Sequence, residues 1–372
     1  MNTIMLLKSI VPKFNKVHNS FKLNGIKCSY EELKETAYSY IKEGSSYEKN
    51  IGDFLLDWLD AKDHIVVPTS GSTGIPKHIQ LSKQAMVNSA IATGNFFNLK
   101  PGDLALHCLP IRYIAGKMML VRALILGLEL DIIRPSSNPV FDSQKHYDFC
   151  AMIPMQLGMV HQNTNNISTL IIGGAPISQP LLKAIQNLSS HVYETYGMTE
   201  TITHIAVKKL NNQLSLRGSM TTQSANSYFK TLPKIKISQD ERECLVIEAA
   251  YLSNERIITN DIVKLHSETN FEWLGRIDTI INSGGIKIHP EQLEAKLQEK
   301  IEERFFIASE DDEVLGERIV LVLEAEYNTI DKSLFKGLNK YEVPKQIYVT
   351  NQFTETSSGK IQRQKTLDSI KL

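Results

Sequence analysis

The chain has 372 residues, 42% of them hydrophobic, and its 41 Lys+Arg balance 41 Asp+Glu to a formal net charge of zero. A chain of this length buries roughly 75% of its unfolded surface and exceeds a single core, so two or more domains are expected. Zero net charge gives no whole-molecule field to draw nucleic acid. The most apolar stretch, MMLVRALILGLEL, carries Arg122 and Glu129 and falls short of the ~20 residues that span a bilayer. The four cysteines, Cys28, Cys108, Cys150 and Cys244, are widely spaced and form no CxxC pair, which fits reduced thiols in a cytoplasmic protein.

Residues 1–60 carry little chemistry. YEELKETAYSYIKEG and EKNIGDFLLDWLD have helical spacing and are expected to cover a sheet edge. From residue 64 short apolar runs alternate with helical patterns. HIVVP reads as a strand, and SKQAMVNSAIATGNFF as a helix capped by Ser82. LALHCLP, LELDIIRP, YDFCAMIP, STLIIGG and HVYETYG read as strands, with AGKMMLVRALILG and SQPLLKAIQNL as intervening helices. That alternation predicts an α/β fold with a largely parallel sheet. From about 205 to 275 the pattern turns strand-rich, as expected of a small β-subdomain. From about 276 a strand, a glycine turn, a short strand and a helix starting at Pro290 open a compact α+β unit, followed by a strand at RIVLVLEAE, a helix at DKSLFKGLNKY and a strand at KQIYVT. The expected division is 1–277 and 278–372.

The stretch PTSGSTGIPKH, residues 68–78, follows the HIVVP strand. Glycine lets backbone N–H groups converge on phosphate oxygens, Ser and Thr add donors, and Lys adds a mobile charge. The spacing is not that of a Walker A loop, because Gly71 and Gly74 are three apart and Lys77 is followed by His78. Read alone, the stretch is compatible with a phosphate loop or an ordinary polar turn. Four further stretches follow: YETYGMTE (193–200), IITND (257–261), GRIDTIINSGGIKIHPEQLE (275–294) and TSSGKIQR (356–363).

In order and spacing these five stretches resemble the adenylate-forming superfamily of acyl-CoA synthetases, adenylation domains and luciferases, from about residue 64 to 363. The resemblance implies a large N-terminal domain of layered α/β subdomains with a small β-subdomain, and a small mobile C-terminal α+β domain. It implies an AMP-forming acid–thiol ligase using ATP, Mg2+ and CoA: a carboxylate attacks the α-phosphate of ATP, and a thiol then attacks the acyl-adenylate. By motif, Thr69, Ser70, Gly71, Ser72, Thr73, Gly74 and Lys77 would grip the β- and γ-phosphates. Gly173, Gly174, Ala175 and Pro176 would lie along adenine. Tyr196 and Gly197 would pack on the adenine ring and beside the acyl pocket, Thr199 would contact the α-phosphate, and Glu200 would bind Mg2+. Asp261 would hold the ribose, with Arg276 supporting ribose or phosphate. Asp278 matches a hinge, Gly284 and Gly285 the thiol tunnel, and Lys360 the catalytic lysine.

Departures from the family pattern are His78 after the loop lysine, Asn260 before Asp261, and Tyr113 where LPxxHxxG has histidine. The phosphate loop also comes early, so a reduced N-terminal subdomain is expected. The segment LPIRYIAGKMMLVRA resembles that of the 2-succinylbenzoate–CoA ligases of bacterial menaquinone biosynthesis, whose substrate carries two carboxylates. Arg112, Tyr113 and Gly116 would then border the acyl pocket, and Arg112, Lys117 or Arg122 could meet the carboxylate that is not activated. The sequence is also compatible with another small aryl or short-chain acid, or with loading of a carrier protein. The expected partners are small molecules, with no nucleic acid or membrane.

Overall fold

The computed structural model describes residues 11–68, 78–211, 228–253, 255–356 and 360–371. In chain order the strands are β1 (Lys22–Leu23), β2 (Ile26–Lys27), β3 (His64–Pro68), β4 (His78–Ser82), β5 (Leu104–His107), β6 (Glu129–Ile132), β7 (Tyr147–Met152), β8 (Ile167–Ile172), β9 (His191–Gly197), β10 (His204–Lys209), β11 (Phe229–Thr231), β12 (Lys236–Gln239), β13 (Cys244–Glu248), β14 (Ile257–Leu265), β15 (Asn270–Arg276), β16 (Ile281–Ser283), β17 (Ile286–Ile288), β18 (Phe305–Asp312), β19 (Gly316–Glu324) and β20 (Gln346–Thr350). The helices are α1 (Tyr30–Glu43), α2 (Ser46–Leu59), α3 (Lys83–Phe97), α4 (Ile114–Leu126), α5 (Pro154–Val160), α6 (Gln179–Ala184), α7 (Pro290–Leu297) and α8 (Arg363–Lys371).

Local chemistry accounts for the helix ends. Ser29 and Ser45 start α1 and α2 with capping boxes to Glu32 and Glu48. Ser82 caps α3 as the sequence predicts, accepting from the Ala85 N–H. Both α3 and α4 end in left-handed residues, Asn98 and Gly127. Helix α4 is buried almost all round, which explains its nearly uniform apolar sequence. One consequence is that Arg122 is carried into the core.

Thirteen strands form one sheet in the order β12-β13-β14-β15-β11-β10-β9-β8-β7-β5-β6-β1-β2. From β9 through β1 the pairing is parallel, and from β9 through β12 it is antiparallel. The strands expected as a β-subdomain therefore continue the parallel sheet, because β10 turns straight back along β9. Alternate residues of β5 feed opposite cores: Ala105 joins the cluster under α1 to α4, and Leu106 the cluster under α5 and α6. A second sheet of five strands, β17-β16-β19-β18 with β20 beside β19, has α7 on one face and α8 on the other.

Two expectations are corrected. HIVVP does not join the parallel sheet but pairs antiparallel with β4, Pro68 opposite His78. The helix read at DKSLFKGLNKY is only a 3₁₀ turn, Lys332–Phe335, stopped by Gly337 at φ +94°.

Candidate active site

The carboxyl ends of β8 and β9 form one wall of the site, the place where open α/β sheets bind ligands. Gly173 and Gly174 leave the end of β8, and Tyr196 and Gly197 end β9. Thr195 Oγ1 donates to the Ile172 carbonyl at 3.1 Å and ties the two strand ends together. A Cβ at Gly173 would collide with that hydroxyl, so the motif glycine permits a close approach of two chains.

Beyond Gly197 the chain makes a 3₁₀ turn, Thr199–Thr201. Thr201 Oγ1 pins it, accepting from the Met198 N–H at 2.9 Å and lying 2.7 Å from the Thr203 carbonyl. Ile202 follows at φ +67°, ψ −53°, with the Thr203 N–H bonded to the Thr201 carbonyl at 2.7 Å. This is a γ-turn of the rare hand, at a β-branched residue, and costs about 1–3 kcal/mol of strain. Burial of the Ile202 side chain at 2% exposure helps to hold it. The turn leaves Glu200 exposed, with no ion pair among the described residues.

A second wall comes from β14 and β15, where Asp261 sits opposite Arg276. Tyr196 Oη donates to Asp261 Oδ2 at 2.6 Å, and Trp273 Nε1 donates to Oδ1 at 3.2 Å. A carboxylate has about four acceptor positions, so acceptor capacity remains for a further ligand. The Tyr196 ring packs edge-on to Phe271, and its hydroxyl is held well above the usual tyrosine range by burial and then by the Asp261 charge. Arg276 is exposed and makes a bidentate pair with Asp278, both contacts at 2.8 Å. That pair raises Arg276 and lowers Asp278 from their ordinary values.

Lys360 reaches this cluster from the C-terminal segment. Burial lowers its ammonium from the ordinary lysine value, the Arg276 charge lowers it further, and Asp261 opposes them. Its backbone closes a short loop with Thr356, whose hydroxyl accepts from the Lys360 N–H at 3.0 Å. Gly284 and Gly285, both at positive φ, form the tight turn joining β16 to β17. The stretch Thr69–Lys77 and residues 357–359 lie outside the described residues.

The basic residues of the LPIRYIAG segment part company. Arg112 is exposed with its guanidinium over the Tyr113 ring, and Lys117 lies over Phe54 of α2. Gly116 is buried against the Pro110 carbonyl. Arg122 alone of the three reaches the β9–β10 turn, where its Nη2 donates to Thr203 Oγ1 at 3.0 Å. It is 1% exposed, its Nε has no hydrogen-bond partner, and no carboxylate pairs with it among the described residues. Burial pulls the guanidinium down to about 9, which still leaves it charged at neutral pH. Sequence reasoning missed Trp273, Thr203 and His204. The TITH that follows the YGMTE motif is the signal that could have pointed to the last two.

The family model described as "AMP-binding enzyme" matches residues 13–241. The chain belongs to this family. Members similar to it include a 2-succinylbenzoate–CoA ligase of Listeria monocytogenes, 27% identical over 92% of this chain and 75% of that protein. An acyl-CoA synthetase (AMP-forming)/AMP-acid ligase II-like protein of Dyadobacter fermentans has a crystal structure with 35% identity and a TM-score of 0.59, over 91% of this chain and 98% of the other. The fold is also that of the O-succinylbenzoate coenzyme A synthetase of Bacillus subtilis solved with ATP and magnesium, at TM-score 0.68 and 20% identity over 90% of this chain and 82% of that one. No helix among the described residues is long and apolar enough to cross a membrane.

Proposed function

We propose that the chain is an AMP-forming 2-succinylbenzoate–CoA ligase serving menaquinone biosynthesis. The observation that carries the reading is Arg122. Burying a charge without a partner costs several kcal/mol, and among the described residues nothing anionic offsets that cost. A substrate with a second carboxylate supplies the missing partner, beside the turn that bears Thr199 and Glu200. The similar Listeria ligase supports the same substrate.

One carboxylate of the acid attacks the α-phosphate of ATP, forming the acyl-adenylate and releasing pyrophosphate. The thiol of CoA then attacks the acyl carbon and releases AMP. In the first step Thr69, Ser70, Gly71, Ser72, Thr73, Gly74 and Lys77 hold the outgoing phosphates, and Thr199 faces the α-phosphate. Gly173 to Pro176 and the Tyr196 ring flank adenine. Asp261, oriented by Tyr196 and Trp273, uses its remaining acceptor positions for ribose hydroxyls. Arg276 can leave Asp278 for ribose or phosphate. Lys360 bridges the attacking carboxylate and the α-phosphate, where a partly desolvated cation stabilises developing charge.

Exposed Glu200 offers the hard oxygen donor suited to Mg2+, which would neutralise phosphate charge when bound. In the second step Lys360 withdraws by rotation of 278–372 against 1–277 about Asp278, and the thiol enters beside Gly284 and Gly285. Four buried, unpaired cysteines support a reducing, cytoplasmic compartment.

The test is a panel of acids assayed first for pyrophosphate release with ATP and Mg2+, then for CoA consumption. 2-Succinylbenzoate should lead in both. Pyrophosphate release without CoA consumption would point to a carrier-protein thiol, and preference for a monocarboxylic acid would overturn the diacid reading.

A further inference from the structure

Arg122 is held by a chain of polar groups that no motif contains. Thr93 Oγ1 donates to the Ser89 carbonyl at 3.0 Å, so its oxygen is free to accept from His204 Nε2 at 3.5 Å. That assignment leaves His204 Nδ1 as an acceptor, and Thr203 Oγ1 lies 3.3 Å from it. With its proton directed to Nδ1, the Thr203 oxygen accepts from Arg122 Nη2 at 3.0 Å. Donors therefore run in one direction, from Arg122 through Thr203 and His204 to Thr93 and the helix carbonyl. Three members are deep in the protein, Thr93 at 0% exposed, Arg122 at 1% and His204 at 5%, and Thr203 between them is half-buried.

The chain works only while the imidazole is neutral and carries its proton on Nε2. Burial, and then the Arg122 charge, keep its proton affinity well below the ordinary histidine value. The strained γ-turn at Ile202 sets Thr203 between the two groups. Because Thr203 occupies Nη2, the guanidinium is fixed by one arm. Nη1 lies 3.6 Å from Met119 Sδ, and Nε has no partner.

We propose that His204 is a positioning residue for substrate selection: through Thr203 it holds Arg122 in the orientation that receives the substrate's second carboxylate. The inference rests on the proposed diacid substrate. A loosely held guanidinium would spend binding energy on being ordered, whereas a preorganised one does not.

The experiment compares kcat/KM for 2-succinylbenzoate with that for 4-oxo-4-phenylbutanoate, the same skeleton without the ring carboxylate, in wild type, Arg122→Ala, His204→Leu, His204→Gln and Thr203→Val. His204→Leu should lower the diacid-to-monoacid ratio by roughly tenfold, the scale of one lost hydrogen bond in a charged network. His204→Gln, which keeps a donor and an acceptor, should restore most of the ratio. Thr203→Val deletes only the relay hydroxyl and should reproduce the loss even if His204→Leu folds poorly. A purely structural role would lower both substrates together and leave the ratio intact, which would overturn the proposal. No diacid preference in the wild type would overturn the substrate reading and this inference with it. A preference lost in Arg122→Ala but kept in His204→Leu and Thr203→Val would overturn the positioning role alone.

Discussion

Two arginines close to the candidate site stand in opposite electrostatic states. Arg276, on the proposed nucleotide side, is exposed and makes two hydrogen bonds to Asp278. Arg122, on the proposed acyl side, is buried, lacks a carboxylate among the described residues, and leaves Nε without a partner. A cation near water can be neutralised by an internal acid and released cheaply, because exposed ion pairs are worth only about 0–1 kcal/mol. A cation in the core has no such reserve and carries a desolvation cost that a counter-charge, permanent or visiting, offsets. In the proposed mechanism the nucleotide side is thus suited to exchange of partners, and the acyl side to recognition.

The largest expected effect breaks the nucleotide side. Lys360→Ala should slow adenylate formation by 100-fold or more, on the order of 3 kcal/mol, and largely spare thioester formation from supplied acyl-adenylate. Equal loss in both half-reactions would count against the role. The same residue sets a pH limb. In the proposed role Lys360 acts as a cation, and its affinity for the proton is lowered. Adenylation kcat/KM, which reports the free enzyme, should therefore fall as pH rises through a value below 10.5, the ordinary lysine value. Arg276→Gln removes a lowering charge and should move that limb upward.

A smaller effect sharpens the comparison. Trp273→Phe keeps the ring but removes a donor to Asp261, and should raise KM for ATP several-fold, about 1 kcal/mol, with little change in KM for the acid. With 2′,3′-dideoxy-ATP, wild type and variant should converge. A penalty that persists there would mean that Trp273 does not act through the ribose contact. The smallest effect belongs to the exposed pair: Asp278→Asn should change KM for ATP by less than about threefold. A tenfold change would show that the pair is not freely exchangeable.

The sequence makes the motif glycines, acids and lysine legible because each sits in a local pattern of turn or strand-end chemistry. Helix α4 was legible too, and with it the basic residues that it and its N-terminal flank carry. Which basic residue meets the β9–β10 turn was not, because Arg112, Lys117 and Arg122 are set apart by what packs opposite them. Trp273 and His204 reach their positions through strand register: Trp273 lies across from Val263 and His204 from Gly197. Such pairings join distant parts of the chain, and no local spacing announces them. The continuity of the large sheet was hidden for the same reason, since it depends on β10 folding back through one strained residue.

The most direct test of the account is Arg122→Met, read out both by thermal melting and by the diacid-to-monoacid ratio of kcat/KM. Replacing an unpaired buried charge with an apolar side chain of similar length is neutral or stabilising. The account predicts a melting temperature unchanged or a few degrees higher, together with a loss of diacid preference of roughly tenfold or more. A variant that melts lower yet keeps its preference for 2-succinylbenzoate would show that Arg122 serves the fold, and would contradict the claim that it waits for the substrate.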